Sequence, residues 1–99
     1  MRMEFDDDDL EKLFVDPLFV HPRYGRDLVR SYRKKVTIIL NAQDQRDLRM
    51  MKSLHLEKLS GDLKGKHSIR LNKQWRLILE FRESAGQPVT AVLKVDDYH

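Results

Sequence analysis

The last third of the chain is written in period two. Trp75, Leu77, Leu79 and Phe81 alternate with Arg76, Ile78, Glu80 and Arg82, and Val89, Ala91, Leu93 and Val95 alternate with Thr90, Val92, Lys94 and Asp96. Such alternation places one residue set on each face of a strand. The connection over residues 83–88 is too short for a crossover, so the two strands must pair antiparallel. A shorter run, Ile69 and Leu71 against Ser68 and Arg70, joins them across a turn at 72–74. Assigning Trp75, Leu77, Leu79 and Phe81 to the core sends Arg76 out of the opposite face, as Arg70 is opposed to Ile69 and Leu71. Two guanidinium forks on an open sheet face suit phosphate or carboxylate. A plain cross-strand pair with Glu80 reads equally well.

The first half has a different period. Met1, Met3 and Phe5 alternate briefly as a strand, and Asp6, Asp7, Asp8 and Asp9 then precede Leu10, Leu13 and Phe14. Aspartates ahead of an apolar helical pattern supply a cap and favourable charge, in preference to a metal or partner site. Pro17 ends that helix. From residue 22 or 23 to about 40, Tyr24, Leu28, Val29, Tyr32, Val36, Ile39 and Leu40 form one helical stripe, with Arg26, Arg30 and Arg33 as a ridge on another side. That ridge reads as a solvated face or as a contact for an anionic partner. Asp44 can cap a short third helix over 45–54, and Leu56 and Leu59 look buried before the glycines Gly61 and Gly65 mark a loop. The order β, α, α, short α, β, β, β gives an α+β domain: an N-terminal strand and two to three helices packed on a mainly antiparallel C-terminal sheet.

Ninety-nine residues leave room for one domain, 1–99, and 40% apolar content supplies one small core. Cysteine is absent and no apolar run reaches the about 18 residues of a membrane span or the shape of a signal peptide, so a cytoplasmic protein with no membrane contact is expected. The net charge of +3 hides a strong asymmetry. Residues 1–22 hold two basic and seven acidic side chains, whereas residues 23–76 hold fifteen basic and five acidic ones. The basic middle is the candidate nucleic-acid face. His21, His55, His67 and His99 lack metal-ligand spacing, so no metal or other cofactor is expected. No phosphate-cradling glycine loop or nucleophile elbow occurs. Asp97, Tyr98 and His99 bring three proton-moving groups together, although a polar end of this kind is commonly a frayed tail.

Four motifs change that reading: Gly61-Asp62-Leu63-Lys64-Gly65, Ser68-Ile69-Arg70-Leu71-Asn72, Gln74-Trp75-Arg76 and Asp97-Tyr98-His99. In these the chain resembles the RelE/ParE toxin superfamily, most closely its HigB-like branch. The resemblance implies a RelE-like fold and a toxin of a type II toxin-antitoxin system that cuts mRNA in the ribosomal A site. It also implies an antitoxin partner, of the helix-turn-helix HigA-like kind, through which operator DNA is bound. Metal-independent attack by a ribose 2′-OH needs a base, an acid and cations at the phosphate. By similarity His99 moves a proton, Arg76 holds the phosphate, Asp97 orients or moves a proton, and Tyr98 stacks or hydrogen-bonds. Lys58, Lys66, Arg70 and Lys73 are the expected RNA contacts. The chain departs from the branch where Glu57 and Ser60 stand in place of a His and a Lys. Lys58 or Lys66 is a candidate replacement for that charge, and His55 or His67 for that imidazole. The departure keeps two alternatives open: a ParE-like gyrase poison, and a weakened toxin acting as a binding partner.

Overall fold

The computed structural model describes residues 1–97. In chain order they form β1 (Arg2–Phe5), α1 (Asp8–Val15), α2 (Arg26–Asn41), α3 (Gln45–Met50), a 3₁₀ turn (Lys52–Leu54), β2 (Glu57–Lys58), a second 3₁₀ turn (Gly61–Leu63), β3 (His67–Arg70), β4 (Trp75–Ser84) and β5 (Gln87–Asp97). One sheet has the order β1-β5-β4-β3-β2, with β1 parallel to β5 and the other pairs antiparallel. The α+β order expected from the sequence is the one observed. The two-residue edge strand β2 is an addition, because two residues are too few to show a period.

The helices form where caps and stripes dictate. Asp7 caps α1, its carboxylate accepting the Leu10 N–H at 2.9 Å, and Asp8, Asp9 and Glu11 fill the first turn. α2 starts later than its apolar stripe implies, at Arg26. The chain first turns on His21, whose Nδ1 accepts the Arg23 N–H at 3.1 Å, and Tyr24 stacks on that imidazole at 4.2 Å. Leu28, Tyr32, Val36 and Ile39 are the buried stripe, and the Tyr32 hydroxyl donates to the Leu10 carbonyl at 2.7 Å, tying α2 to α1. Arg33 leaves the expected basic ridge. Its Nε donates to the Leu13 carbonyl at 2.8 Å, satisfying a carbonyl at the C-terminus of α1. Arg26 and Arg30 remain exposed. The third helix ends at Met50, short of the expected 54, because Met51 takes an extended conformation. Only the 3₁₀ turn then carries Leu54 into the core.

Helices cover one face of the sheet. Leu77 and Leu79 are fully buried there, and Trp75 and Phe81 pack against the same cluster. The alternation in β5 is interrupted. Ile78 pairs with Lys94 but Leu79 pairs with Val92, so Leu93 is an extra residue in a bulge. Val92 and Val95 therefore both face the helices, whereas Val89 and Ala91 lie on the other face beside Arg82 and Glu80. On that face Arg82 reaches across β5. Its guanidinium meets Asp6 at 2.9 Å, Glu4 at 3.1 Å and Glu80 at 2.6 Å, bridging β4 to the β1 end. The β4–β5 turn is only Ala85-Gly86, both with positive φ (52° and 78°), as a two-residue type I′ hairpin requires.

Alanine is a poor occupant of a left-handed position, so Ala85→Asn should raise stability by about 0.5–1 kcal/mol in urea melts. The Arg82 hydrogen bond holds the Asp6 carboxyl below its usual pKa. A carboxyl depressed in the folded state contributes stability above its unfolded pKa of about 3.9 and loses it as pH falls through the folded value. Arg82→Ala should thus lower the Tm at pH 7, and the difference from wild type should shrink in melts near pH 3.

Candidate active site

At the start of β4, Arg76 lies on the face away from the helices, as the alternation implies, but it does not project into solvent. It is 4% exposed. Its Nε donates to Ser68 Oγ at 2.8 Å and its Nη2 to the His55 carbonyl at 2.6 Å, with the Ser68 carbonyl at 3.5 Å. The Glu57 carboxylate lies 3.9 Å from the same Nη2. Glu80, the expected cross-strand partner, is instead taken by Arg82 and Lys66. A buried guanidinium without partners would cost several kcal/mol, and these contacts compensate it.

Local backbone geometry builds this nest. His55 sits in the left-handed region (φ 48°, ψ 52°), turning its carbonyl onto Arg76 as the chain leaves the 3₁₀ turn for β2. Glu57 pairs with Ser68, Ser68 with Ile78, and Arg76 with Asp96, so all five share the open face. Gly61 and Gly65, at φ 64° and 89°, explain the glycine spacing in the loop that follows β2. Leu59 and Leu63 from this loop, with Ser68, Arg76, Ile78, Asp96 and Asp97, line a pocket of about 120 Å³. That is well below the roughly 300 Å³ at which pockets for whole small molecules begin. It has room for a single phosphate-sized group, and Arg76 lies in its wall with Nε and Nη2 already donating to Ser68 and the His55 carbonyl.

The expected site residues divide. Arg76 and Asp97 come together at the pocket. Asp97 accepts a hydrogen bond from Gln74 Nε2 at 3.3 Å. Tyr98 and His99 lie outside the described residues. Lys66 lines an adjoining groove of about 480 Å³ that shares Leu63 and Ile78 with the Arg76 pocket, together with Lys94. Arg70 and Lys73 are exposed near the β3–β4 turn. Lys58 does not reach the pocket: it pairs with His67, and His67 with Leu79, which places both on the helix-covered face. His67 is therefore no substitute imidazole for this site. It packs on Phe81 at 4.8 Å, and burial, followed by the charges of Arg49 and Lys58, pushes its pKa down. His55 contributes its carbonyl, and its side chain is exposed. Among the described residues no group of three His, Asp or Glu side chains could hold a metal. Sequence reasoning missed Ser68 and Asp96 as partners around Arg76. Alternation already put Ser68 on the Arg76 face, whereas Asp96 depends on the bulge.

This fold is shared with solved toxin structures. The YoeB/ParE toxin from Agrobacterium tumefaciens aligns with a TM-score of 0.56 over 100% of both chains at 17% identity. The YoeB-YefM complex from Staphylococcus aureus aligns with a TM-score of 0.58 over 100% of this chain and 97% of that one, also at 17% identity. The architecture is thus that of the RelE/YoeB-like toxins. Within that class, the family of RelE-like toxins of the type II toxin-antitoxin system HigB matches residues 3–99. Toxin HigB-1 of Vibrio cholerae serotype O1 is 37% identical over 81 residues, 82% of this chain and 84% of that protein. The chain belongs to the HigB-like toxin family. No helix among the described residues is long and apolar enough to cross a membrane.

Removing Ser68 Oγ should leave the buried Arg76 Nε without that partner. Ser68→Ala is expected to cost about 1.5–3 kcal/mol in denaturant unfolding, against a few tenths for Ser60→Ala in the exposed loop.

Proposed function

We propose that this chain is the toxin of a type II toxin-antitoxin pair and acts as an endonuclease on mRNA in the ribosomal A site. The observation that carries the reading is the placement of a buried, pre-oriented arginine in a phosphate-sized pocket at the end of β5, the strand leading into Asp97-Tyr98-His99. Membership of the HigB-like family supports it. In this mechanism Arg76 holds a non-bridging phosphate oxygen while the ribose 2′-OH attacks phosphorus in line, breaking the P–O5′ bond. The products are a 2′,3′-cyclic phosphate and a 5′-OH. His99 supplies the proton to the departing 5′-oxygen, Asp97 orients it, and Tyr98 stacks on a base of the message. No cofactor takes part.

Lys66 meets RNA beside the pocket, Arg70 and Lys73 meet it at the β3–β4 turn, and Lys58 contacts it from the sheet edge. The domain, 1–99, works in the cytoplasm on the ribosome. It is silenced by a cognate antitoxin of the helix-turn-helix, HigA-like kind, and the complex reaches operator DNA through that antitoxin. A ParE-like action on DNA gyrase is the second reading, favoured by Glu57 and Ser60 in place of the branch's His and Lys.

One experiment separates them. Induction of the chain should arrest growth and produce new mRNA 5′ ends in phase with A-site codons, whereas DNA damage with intact mRNA points to gyrase. Arg76→Met, which replaces a buried charge by apolar volume, should keep the fold and antitoxin binding yet lower cleavage by about 10²-fold or more.

A further inference from the structure

Beyond Arg76 the open face of the sheet continues into a second hollow. The groove of about 480 Å³ begins where the Arg76 pocket ends, at Leu63 and Ile78, and runs on to Arg82 and Asp6. Its volume falls within the roughly 300–1,000 Å³ typical of pockets for small organic groups. Ile78 and Glu80 follow Arg76 on the same face of β4, about 7 and about 13 Å along the strand at a rise of about 3.3 Å per residue. A nucleotide whose phosphate lies on Arg76 can therefore lay its base in the groove.

The walls are built for a flat, neutral group. Leu63 from the loop after β2, Ile78 on β4 and Leu93 on β5 supply apolar surface. Leu93 is the bulge residue, without a partner on β4, and a bulge re-aims a side chain beside a site. Charge in the groove is balanced. Arg82 is held by Glu4, Asp6 and Glu80, Lys66 lies 3.9 Å from Glu80, and Lys94 lies 3.9 Å from Asp96. Each cation already has a carboxylate beside it, so a second phosphate gains little there, whereas an uncharged ring bearing donors and acceptors can use both signs.

Glu80 and Lys66 form the pair that such a ring meets. Arg82 Nε donates to Glu80 Oε1 at 2.6 Å and fixes the carboxylate. Glu80 Oε2 lies 3.9 Å from Lys66 Nζ, beyond hydrogen-bond length, so both groups keep capacity for a ligand between them. Side by side, a carboxylate accepts from N–H groups and an ammonium donates to a carbonyl oxygen. Guanine is the base that sets two N–H groups, on N1 and N2, next to a carbonyl oxygen, O6.

We infer that this groove is a base-reading subsite in which Glu80 and Lys66 select guanine in a nucleotide flanking the scissile phosphate. The Glu80 carboxylate accepts from N1 and N2, Lys66 donates to O6, and Leu93 lies against the ring. Reading the edge of an unstacked base is the usual route to sequence choice in single-stranded RNA. This inference deepens the endonuclease reading and rests on it.

The test is cleavage on ribosomes programmed with messages randomised over the A-site codon and the nucleotide on either side of it. Cut products are sequenced, and each base's share at every position is taken relative to uncut message. The wild-type chain should favour guanine over adenine about tenfold at one position next to the cut, the discrimination that one well-made base contact supplies. Glu80→Gln replaces an acceptor by a donor that meets the guanine N–H groups head on, and should bring that ratio to within about twofold of unity while other positions keep theirs. Lys66→Met removes the donor to O6 and should lower the same ratio about threefold or more. Each ratio is taken within one chain, so a loss of overall rate lowers the yield of cuts and leaves the ratio alone. A merely structural Glu80 therefore keeps the wild-type ratio. Absence of a guanine preference beside the cut in the wild type, or its persistence in Glu80→Gln, overturns the assignment. Persistence in Lys66→Met overturns it equally, and that variant leaves the contacts of Glu80 with Arg82 intact. Absence of any cut by the wild-type chain overturns the endonuclease reading itself and is seen before the variants are compared.

Discussion

The pairing of β4 with β5 carries every other element, and the bulge at Leu93 is what makes that pairing workable. Counting back from the two-residue turn, an unbroken ladder would set Lys94 opposite Leu77 and Val95 opposite Arg76. A lysine would then enter the helix-covered core, and Asp96 would turn away from the open face. One extra residue restores the phase: Val95 meets Leu77 under the helices, and Lys94 and Asp96 return to the open face beside Ile78 and Arg76. β1 then adds in parallel to β5, β3 adds to β4, and the end of β5 arrives beside Arg76. The bulge therefore joins the core to the pocket.

Arg76 places a second constraint on the fold. A permanent cation can be buried in a sheet face only if its donors find acceptors. Those acceptors come from two segments far apart in sequence, Ser68 on β3 and the carbonyl of His55. The left-handed turn at His55 and the minimal strand β2 both act to bring acceptors and a counter-charge to the guanidinium. β2 contributes only two residues to the sheet, and one of them is Glu57. On the proposed reading the same rigidity suits phosphate binding, because donors fixed before substrate arrives need no reorganisation when charge develops.

Much of this was legible in the sequence. The alternating runs named the faces of β4 and the core residues Leu77 and Leu79, the aspartates before Leu10 marked a cap that Asp7 supplies, and the Gly61 to Gly65 spacing marked a turn that needs positive φ twice. What stayed hidden depends on contacts between distant segments. Periodicity treats Arg33 as part of an exposed ridge, yet a carbonyl at the end of α1, twenty residues away, draws it inward. Periodicity likewise cannot see a bulge, since Leu93 fits its alternating run perfectly well. Nearness in sequence also misplaced candidates: Lys58 and His67 stand close to site residues along the chain, but a strand sends successive side chains to opposite faces.

The same geometry assigns the chain's charge to two separate tasks. Fifteen basic and five acidic side chains over residues 23–76 give a strongly cationic stretch, and many of its members, including Arg26, Arg30, Lys34, Arg46, Arg49, Lys52 and Lys73, are exposed. The charge around Arg76 is mixed: Asp96 and Asp97 line the pocket with it, Glu57 lies 3.9 Å from its guanidinium, and Arg70 is its register partner on β3. Attraction of a polyanion must then come from the exposed cations, act at long range and weaken with salt. Within the proposed function, discrimination falls to the pocket, where carboxylates that oppose binding of phosphate in general narrow what can be seated beside Arg76. A site built only for affinity would have replaced them with cations. On the endonuclease reading proposed above, their presence around Arg76 is the arrangement expected where a phosphodiester is broken as well as held.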